Sequence, residues 1–538
     1  MSRQSCDVLI IGAGASGALA ARYFAAAGMS VTCLEQGEWV RPGDYPGAKP
    51  DWELQRRQRW HFSPNVRQWE ADYPLEVSDA EVYPVMFNGV GGSTILWGAQ
   101  WHRMKPSDFR VRTLDGVAAD WPIDYDMLAP FYDRVDHDVG VSGLAGDPAY
   151  PEQPAYPLPP LPIGVAGTRM AVAMNQLGWH WWPGSNAIPS KSWGNLNPCA
   201  RLGTCVGGCS EGSKASVDLV YWPAALKDGA ILKTGARVSE VLVNDNGLAT
   251  GARYIDRGGE SHVIDAVIVV MCANGVGTAR LLLQSKSKRF PDGLANRSGL
   301  VGRGLMLHPL SAVIGVFPES VEGWLGPAGH MIQSMEFYET DASRGFVRGG
   351  KWSLMPTGGP MGAHPGLAGA PFETGWGAAA HAAVAATLGK SVLWSIINED
   401  LPDDANRIEL DDTLTDSDGL PAVKVTYTIG RNTHDQAAFQ IARATESMQA
   451  AGAVMTIPVP IIKEAGGHLL GTTRMGTDAE ASVVDSLGRS HDVPNLYIFD
   501  GGTFVTSSGV NPTATILANA LRCTEAVIAA RRDQRVAA

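Results

Sequence analysis

The sequence is poor in charged residues and has no basic cluster. Asp, Glu, Lys and Arg make up 18% of its 538 residues and give a formal net charge of -12. Nucleic acids and anionic lipid surfaces are bound by concentrated positive charge, which this chain does not offer. We therefore expect neither nucleic acid nor an acidic membrane surface as a partner.

The chain also lacks a secretory signal and a long uninterrupted apolar run. Its start, "MSRQSCDVLIIGAGASG", passes from a short polar lead into apolar residues broken by glycines, without a basic n-region or a cleavage site. The runs "AAAHAAVAAT" and "HVIDAVIVVMCANGVG" are too short or too interrupted to cross a bilayer. These absences predict a soluble, cytoplasmic protein without membrane insertion.

Cysteine is scarce as well. Seven cysteines, an odd number in a chain without a signal, argue against a disulfide framework. Three of them, Cys199, Cys205 and Cys209, have the spacing C-x5-C-x3-C in a glycine-rich loop, where thiolates can surround a metal cluster. The others lie in apolar strand or helix patterns and are expected to be core thiols. These are Cys6, Cys33, Cys272 and Cys523.

Glycine and proline are abundant, with 62 and 34 residues, and the chain is long enough to bury a large core. Its length suggests two to four domains or one large composite domain. The Pro-rich stretch 146–164 has the composition of a linker. Residues 406–428 alternate around a Gly turn as a β-hairpin does, and we expect this hairpin in a second, sheet-based domain.

The clearest element is "CDVLIIGAGASGALAARYFAAAGMSVTCLEQG", which has the order strand, glycine turn, alanine-rich helix, strand. Its glycines permit a tight turn and let the helix N-terminus approach a pyrophosphate, while an acid at the end of the second strand suits ribose hydroxyls. The pattern predicts a dinucleotide site and leaves FAD and NAD open. Its residues are Gly12, Gly14, Ala15, Ser16, Gly17 and Glu35.

A second glycine motif, "NGVGGSTILWGAQWHRM", begins at Asn88. Gly91 and Gly92, followed by Ser93, let the backbone pass close beside a planar ring, and Trp97 can enclose that ring. On its own the motif is equally compatible with an ordinary glycine-rich turn. The aromatic stretch "GWHWWPG" at 178–184 is expected to pack in the core or between domains rather than to form a substrate wall.

Five motifs together resemble the glucose-methanol-choline (GMC) oxidoreductases in order and spacing. They are "GAGASG", "NGVGGSTILWGA", "LVGRGLMLHP", "HLLGTTRMG" and "NLYIFDGGTFVTSSGVNPTATILANAL". The resemblance spans essentially the whole chain and is nearest to the bacterial branch with sugar and glycoside dehydrogenases and pyranose oxidases. It implies an α/β fold with a discontinuous, Rossmann-like FAD-binding domain of the p-hydroxybenzoate-hydroxylase type and a second, sheet-based substrate domain.

That fold implies a division into five segments. The FAD-binding domain takes 1–155, 215–310 and 461–538. The substrate domain takes 156–214, with the cysteine loop, and 311–460. The linker-like stretch and the return of strand and helix patterns between 231 and 285 agree with this division.

The resemblance also implies a function, the oxidation of an alcohol to a carbonyl by proton abstraction and hydride transfer to flavin N5. His468 maps to the catalytic base, because an imidazole with a pKa near neutral can take the alcohol proton. Asn511 maps to the group that positions the alcohol, because its amide can hydrogen-bond the alcohol oxygen. Pro512 and Thr513 open the final helix beside the flavin. Asp500, Gly501 and Val238 map to further FAD contacts. Ile95 and Leu96 replace the histidine through which some relatives attach FAD, so the flavin is expected to be noncovalent.

Several alternatives stay open. The cysteine spacing looks like that of the 3Fe-4S site in multi-subunit FAD sugar dehydrogenases, but the loop can also be purely structural or form one disulfide. If it holds a cluster, an electron-acceptor protein or small subunit is expected.

A sugar, glycoside or polyol is the first substrate class, and an aromatic or aliphatic alcohol the second. A flavin-binding protein without turnover and an NAD-dependent dehydrogenase are the other hypotheses, and the oligomeric state is open. His308 is expected to be structural, and His102 to belong to an ordinary loop.

Overall fold

A computed structural model describes residues 4–363 and 376–537 of the chain. The strands in this part are β1 (Gln4–Ile11), β2 (Val31–Leu34), β3 (Leu75–Glu76), β4 (Trp182–Pro183), β5 (Ile231–Lys233), β6 (Ala236–Val243), β7 (Ala249–Asp256), β8 (Ser261–Met271), β9 (Leu310–Val316), β10 (Ile332–Ser334), β11 (Gly350–Pro356), β12 (Ser391–Asn398), β13 (Arg407–Thr415), β14 (Pro421–Thr426), β15 (Met455–Val459) and β16 (Leu496–Ile498). The α-helices are α1 (Ala15–Ala26), α2 (Trp52–Arg56), α3 (Pro64–Arg67), α4 (Val111–Asp115), α5 (Tyr125–Val139), α6 (Gly164–Leu177), α7 (Val217–Val220), α8 (Trp222–Lys227), α9 (Asn274–Gln284), α10 (Pro360–Ala363), α11 (Ala378–Thr387), α12 (Arg431–Ala450) and α13 (Thr513–Ala537).

The first sheet has seven strands in the order β5-β2-β1-β8-β7-β6, with β16 also paired to β8. Strands β1, β2, β5, β8 and β16 run parallel, and β6 and β7 continue from β8 as an antiparallel meander. The unit β1-α1-β2 confirms the predicted strand, turn, helix and strand. The C-terminal ends of β1 and β8, residues 8–11 and 268–271, are uninterrupted apolar runs because the sheet is buried on both faces there.

The second sheet is antiparallel, with six strands in the order β15-β9-β12-β11-β10-β4. Side chains alternate between its two faces. On one face Trp352, Leu354 and Trp394 join a buried apolar cluster with Met174 of α6 and Met448 of α12. The opposite face of β11 and β12 is thereby left to cover the loops of the first sheet.

The aromatic stretch 178–184 supports the same cluster. Trp179 packs edge-on against Phe337 and Trp352, with ring centroids 5.0 Å and 6.2 Å away. This confirms the predicted packing role.

The hairpin predicted at 406–428 is present as β13 and β14, but it does not join the second sheet. It pairs with β3 in a separate three-stranded sheet. Ile408, Val423 and Val425 are buried in the same apolar cluster as the first sheet, and α9 contacts both strands. The prediction was wrong on placement because alternation defines a hairpin locally but does not name the surface that its apolar face covers.

Residues 231–246 form two strands, not one continuous strand. The chain turns at Gly235, whose φ is +59°, so that β5 pairs with β2 while β6 pairs with β7.

Among the helices in the described ranges, none has both the length and the apolar composition that a membrane-spanning helix needs.

Candidate active site

A cavity of about 430 Å³ lies between the loops of the first sheet and the free face of the second. Almost all of the sequence-predicted site residues line it. These are Gly12, Gly14, Ala15, Ser16, Glu35, Gly92, Ser93, Trp97, Val238, His468, Asp500, Gly501, Asn511, Pro512 and Thr513. Gly17 and Gly91 are not among its lining residues. Gly12 and Thr513, which are 501 positions apart in the sequence, thus line the same cavity.

The glycines of the first motif divide into two kinds. A Cβ on Gly17 would lie 2.0 Å from the carbonyl oxygen of Gly12, so this position must be glycine for the turn to close. A Cβ on Gly14 would meet only the Cα of Gly92, at 3.7 Å, and would project toward the cavity wall. Gly17 is therefore required for the fold, whereas the absence of a side chain at Gly14 leaves room in the cavity.

Glu35 is buried and tied to the backbone around it. Its carboxylate accepts hydrogen bonds from the amides of Ala13 at 2.8 Å and Gly37 at 3.0 Å. Burial raises the pKa of Glu35, and these two hydrogen bonds oppose that shift. The acid thus braces the turn between β1 and α1 and the loop after β2 while it lines the cavity.

The cavity fits a dinucleotide in two further respects. Helix α1 begins without a side-chain cap, so its first amides are free to bind an anion. The indole nitrogen of Trp97, which also lines the cavity, is buried and has no hydrogen-bond partner in the described part of the chain. A donor in that position is costly unless a bound group accepts from it.

His468 faces His308, and the backbone explains why. Met306 and Leu470 form an antiparallel bridge with reciprocal hydrogen bonds of 3.0 Å and 3.1 Å. In antiparallel register, residue 308 then stands opposite residue 468. The two Nδ1 atoms are 2.8 Å apart, and the rings are perpendicular. His308, expected from the sequence to be structural, thus contacts the predicted base.

The hydrogen bonds fix the tautomers of this pair. Nε2 of His308 lies 2.6 Å from the carbonyl oxygen of Ser508, which can only accept, so Nε2 carries the hydrogen. Burial lowers the pKa of His308 to about 4, so its Nδ1 is a bare acceptor at neutral pH. His468 must then donate from Nδ1, which leaves its Nε2 lone pair directed away from His308. Burial, followed by His308 and Lys351, lowers the pKa of His468 well below its ordinary value.

Both partners of the His308 contact have unusual backbones. The φ angles of His308 and Ser508 are +53° and +61°, in the left-handed region that non-glycine residues rarely adopt. Such strain persists only where surrounding packing imposes it, and it concentrates at functional sites.

Asn511 stands beside His468, with its Nδ2 3.4 Å from Nε2 of the imidazole. Its Oδ1 accepts a hydrogen bond of 2.5 Å from Nζ of Lys351, a fully buried residue on β11. Nδ1 of His102 is 3.4 Å from the same Nζ, so His102 is part of this polar cluster and not of an ordinary loop, contrary to expectation.

Sequence reasoning missed Lys351, and the pattern explains why. In "GKWSLMP" the lysine alternates with Trp352 and Leu354, which is the pattern of a strand with one solvent-exposed face. The second face is instead covered by the loops of the first sheet. A lysine at such a position carries no local mark of burial.

The three cysteines of the glycine-rich loop are free thiols, with Cys205 buried and the other two half-buried. The Sγ atoms of Cys199 and Cys209 accept hydrogen bonds from the backbone amides of Arg201 and Ser213. Nowhere in 4–363 or 376–537 do three or more His, Cys, Asp or Glu side chains stand close enough to hold a metal ion. The iron-sulfur site therefore remains a prediction from spacing alone.

Comparison with known proteins gives consistent matches over the whole chain. Models of the GMC oxidoreductase family match residues 6–310 and 402–520. A 2-methyl-1,2-propanediol dehydrogenase from Mycolicibacterium austroafricanum is 40% identical, over 97% of this chain and 95% of that protein. The fructose dehydrogenase large subunit of Gluconobacter japonicus is 28% identical, over 97% and 98%. The solved structure of pyridoxine 4-oxidase from Mesorbium loti, at 18% identity, has a TM-score of 0.64 over 97% and 98% and shows the same fold.

Proposed function

The chain belongs to the GMC oxidoreductase family, and from that premise we propose that it oxidises a small, largely apolar alcohol or diol to a carbonyl compound, with FAD bound noncovalently. Members of this family are FAD-dependent oxidoreductases that act on alcohols, and this chain is one of them. One observation carries the proposal furthest. The bare Nε2 of His468 and the amide of Asn511 meet on the wall of the cavity that the dinucleotide motifs line.

FAD bound in this cavity supplies the acceptor for the hydride that leaves the alcohol carbon. His468 takes the hydroxyl proton at Nε2, and its lowered pKa keeps that atom unprotonated at neutral pH. The NH2 group of Asn511 donates a hydrogen bond to the alcohol oxygen and holds the carbon for transfer. His308 keeps the proton of His468 on Nδ1, so that Nε2 is always the basic atom.

The residues proposed to hold FAD are the predicted ones. With FAD bound, the amides of Ala15, Ser16 and Gly17 at the start of α1 would bind the pyrophosphate, and Glu35 would bind the ribose. Gly92, Ser93 and Trp97 would border the ring system, and Thr513 at the start of α13 would also contact the cofactor. The division into five segments goes with this assignment, except that the hairpin of β13 and β14 packs with the first sheet and is assigned to the FAD-binding part. Precipitation with acid should release all of the flavin, whereas flavin retained on the polypeptide would contradict noncovalent binding.

The substrate class is inferred from the face of the second sheet. Its side chains in the cavity are Leu310, Met355, Ser395 and Ile397, of which only Ser395 is polar. Such a surface fits a small alcohol with an apolar branch better than a ring with several hydroxyl groups. The 40% identity to a 2-methyl-1,2-propanediol dehydrogenase supports the same choice.

A sugar, glycoside or polyol, the class that the sequence analysis prefers, is the second candidate. The match with a fructose dehydrogenase large subunit over nearly the full length of both chains favours it. That relative is also described as a subunit, which supports an electron-acceptor partner for this chain. The cysteine loop carries no step of the proposed reaction.

The test is an anaerobic absorption titration of the purified protein. A panel of 2-methyl-1,2-propanediol, simple branched alcohols, fructose, glucose and glycerol is added in turn, with iron analysis of the same sample. Bleaching of the flavin bands by the branched diol at the lowest concentration is expected. Preferential bleaching by a sugar would select the second candidate. Flavin that no alcohol bleaches would favour a binding protein without turnover, and a colourless protein active only with added nicotinamide would overturn the proposal.

A further inference from the structure

Lys351 is the unusual residue of this site, because it is a fully buried lysine without a carboxylate partner. Its side chain is 0% exposed, and within the described ranges no Asp or Glu forms an ion pair with it. Its Nζ instead contacts Oδ1 of Asn511 at 2.5 Å, Oε1 of Gln100 at 2.6 Å and Nδ1 of His102 at 3.4 Å. Charging a buried amine without a carboxylate partner is expensive, so the state and the role of Lys351 need an explanation.

Each atom that faces Nζ is an acceptor. The amide of Gln100 is fixed because its Nε2 donates to the carbonyl oxygen of Gly329 at 2.8 Å, which leaves Oε1 toward Lys351. Gln333 likewise donates from Nε2 to the carboxylate of Asp147 at 2.9 Å. Its Oε1, 2.5 Å from Nε2 of His102, therefore accepts a hydrogen from that ring.

The direction of these hydrogen bonds determines the protonation state of Lys351. Burial and Lys351 lower the pKa of His102, so its ring is neutral. Because this ring donates from Nε2, its Nδ1 has no hydrogen and faces Lys351 as an acceptor. Burial alone lowers the pKa of Lys351 well below its ordinary value. A neutral amine would place its own lone pair against one of three acceptors, whereas an ammonium group donates to all three. Hydrogen bonding to the charged form therefore opposes the cost of burial.

We propose that Lys351 is a positioning residue for catalysis: as an ammonium group oriented through His102 and Gln333 by Asp147, it fixes the carboxamide of Asn511 and places a positive charge beside His468. Because Oδ1 of Asn511 is occupied, its NH2 group is the end that faces His468 and the substrate oxygen. The inference rests on the proposed roles of His468 and Asn511.

The charge has a second effect, on His468 itself. The titratable groups around Nζ are His102, His308, His330 and His468, and all four have a pKa that Lys351 lowers. An ammonium group there disfavours protonation of His468 before substrate binds, so the base stays ready to accept a proton.

The test uses Lys351→Met, which keeps the length and removes the donors and the charge. Lys424→Met, on β14 and partly exposed, is the matched control. The first readout is the pH titration of the His468 ring by ¹⁵N NMR of the histidine-labelled holoenzyme, assigned with His468→Gln. The second is the anaerobic rate of flavin reduction by the best alcohol of the panel, with FAD content and melting temperature measured alongside.

We expect the pKa of His468 to rise in Lys351→Met and to stay unchanged in the control. The limiting rate of flavin reduction should fall about 10- to 100-fold, as for other misplaced catalytic groups, with a smaller change in the substrate concentration for half-saturation. An unchanged titration of His468, or flavin reduction at the wild-type rate, would overturn the inference.

A second variant covers the case in which Lys351→Met folds poorly. Lys351→Ala opens a space for a small ammonium ion, so added ethylammonium should restore the rate, whereas tetramethylammonium, which has no N–H donor, should not. Equal effects of the two ions would contradict a donor role. If no alcohol reduces wild-type flavin, the proposed function fails, and the NMR titration still decides the part played by Lys351.

Discussion

His468 obtains its proposed reactivity from residues more than a hundred positions away. His308 fixes the tautomer through Nδ1, and Lys351 lies on the other side, beside Asn511. The motif "HLLGTTRMG" was enough to single out His468, and the terminal "NP" was enough for Asn511. The contacts that set their chemistry could not be predicted, because they depend on a two-residue bridge and on the stacking of two sheets, neither of which leaves a local pattern.

The pH dependence of flavin reduction follows from the pKa of His468. The base works when it is neutral, so activity is lost as pH falls through its folded-state pKa. Burial, His308 and Lys351 hold that pKa well below the ordinary 6.5, so the rate should stay constant as pH is lowered to 6.5 and decline only at lower pH. Anaerobic stopped-flow reduction across pH measures this, and an acid limb centred at or above 6.5 would contradict it.

At the level of elements, the two glycines Gly14 and Gly17 in the turn between β1 and α1 have different roles. Gly17 is required for folding, and Gly14 is expected to be required for binding the cofactor. Gly17→Ala should destabilise the protein by at least about 1–3 kcal/mol, because its Cβ cannot avoid the carbonyl oxygen of Gly12. Gly14→Ala meets no such obstacle, and its φ of -77° suits alanine. It should fold normally yet bind FAD about tenfold more weakly, or roughly 1.4 kcal/mol.

Thermal unfolding of the apoproteins and titration with FAD distinguish the two glycine variants. An apoprotein of Gly14→Ala as unstable as that of Gly17→Ala would show that both glycines serve only the turn. Wild-type FAD affinity in a stable Gly14→Ala variant would remove Gly14 from the cofactor site.

Elements with a local signature were predictable, and their partners were not. The β1-α1-β2 unit and the hairpin of β13 and β14 follow from glycine placement and alternation. Membership of the hairpin in a third sheet, beside β3, depends on contacts between residues more than 300 positions apart. The burial of both faces of β11 could not be predicted either. A strand that alternates polar and apolar residues has the same sequence pattern whether its polar face is covered by protein or exposed to solvent.

At the scale of the whole molecule, a buried ion cluster connects the second sheet to the loop that carries Asn511. Arg348, which is 1% exposed, contacts the carboxylates of Asp108 and Glu399. The hydroxyl of Tyr338 donates to Asp108 and accepts from the amide of Gly509, two residues before Asn511. The cluster therefore holds the loop that carries Asn511 against the end of the sheet.

Arg348→Met should cost about 3–5 kcal/mol of unfolding free energy, because it leaves two buried carboxylates without their cation. Arg431→Met is the control, since Arg431 pairs with Asp435 at the surface and is 94% exposed there. Chemical denaturation and FAD content measure the effect. Similar stability of the two variants would contradict a structural role for the cluster.

The central claim is that His468 is the base of an alcohol oxidation. The most direct test is anaerobic stopped-flow reduction of the flavin in His468→Ala by the preferred alcohol, beside His434→Ala, which alters an exposed histidine of α12. We predict that both variants retain FAD, that the control is reduced at the wild-type rate, and that reduction of His468→Ala is about 10²- to 10⁴-fold slower, the usual contribution of a general base. Fast bleaching of His468→Ala by the alcohol would contradict the account.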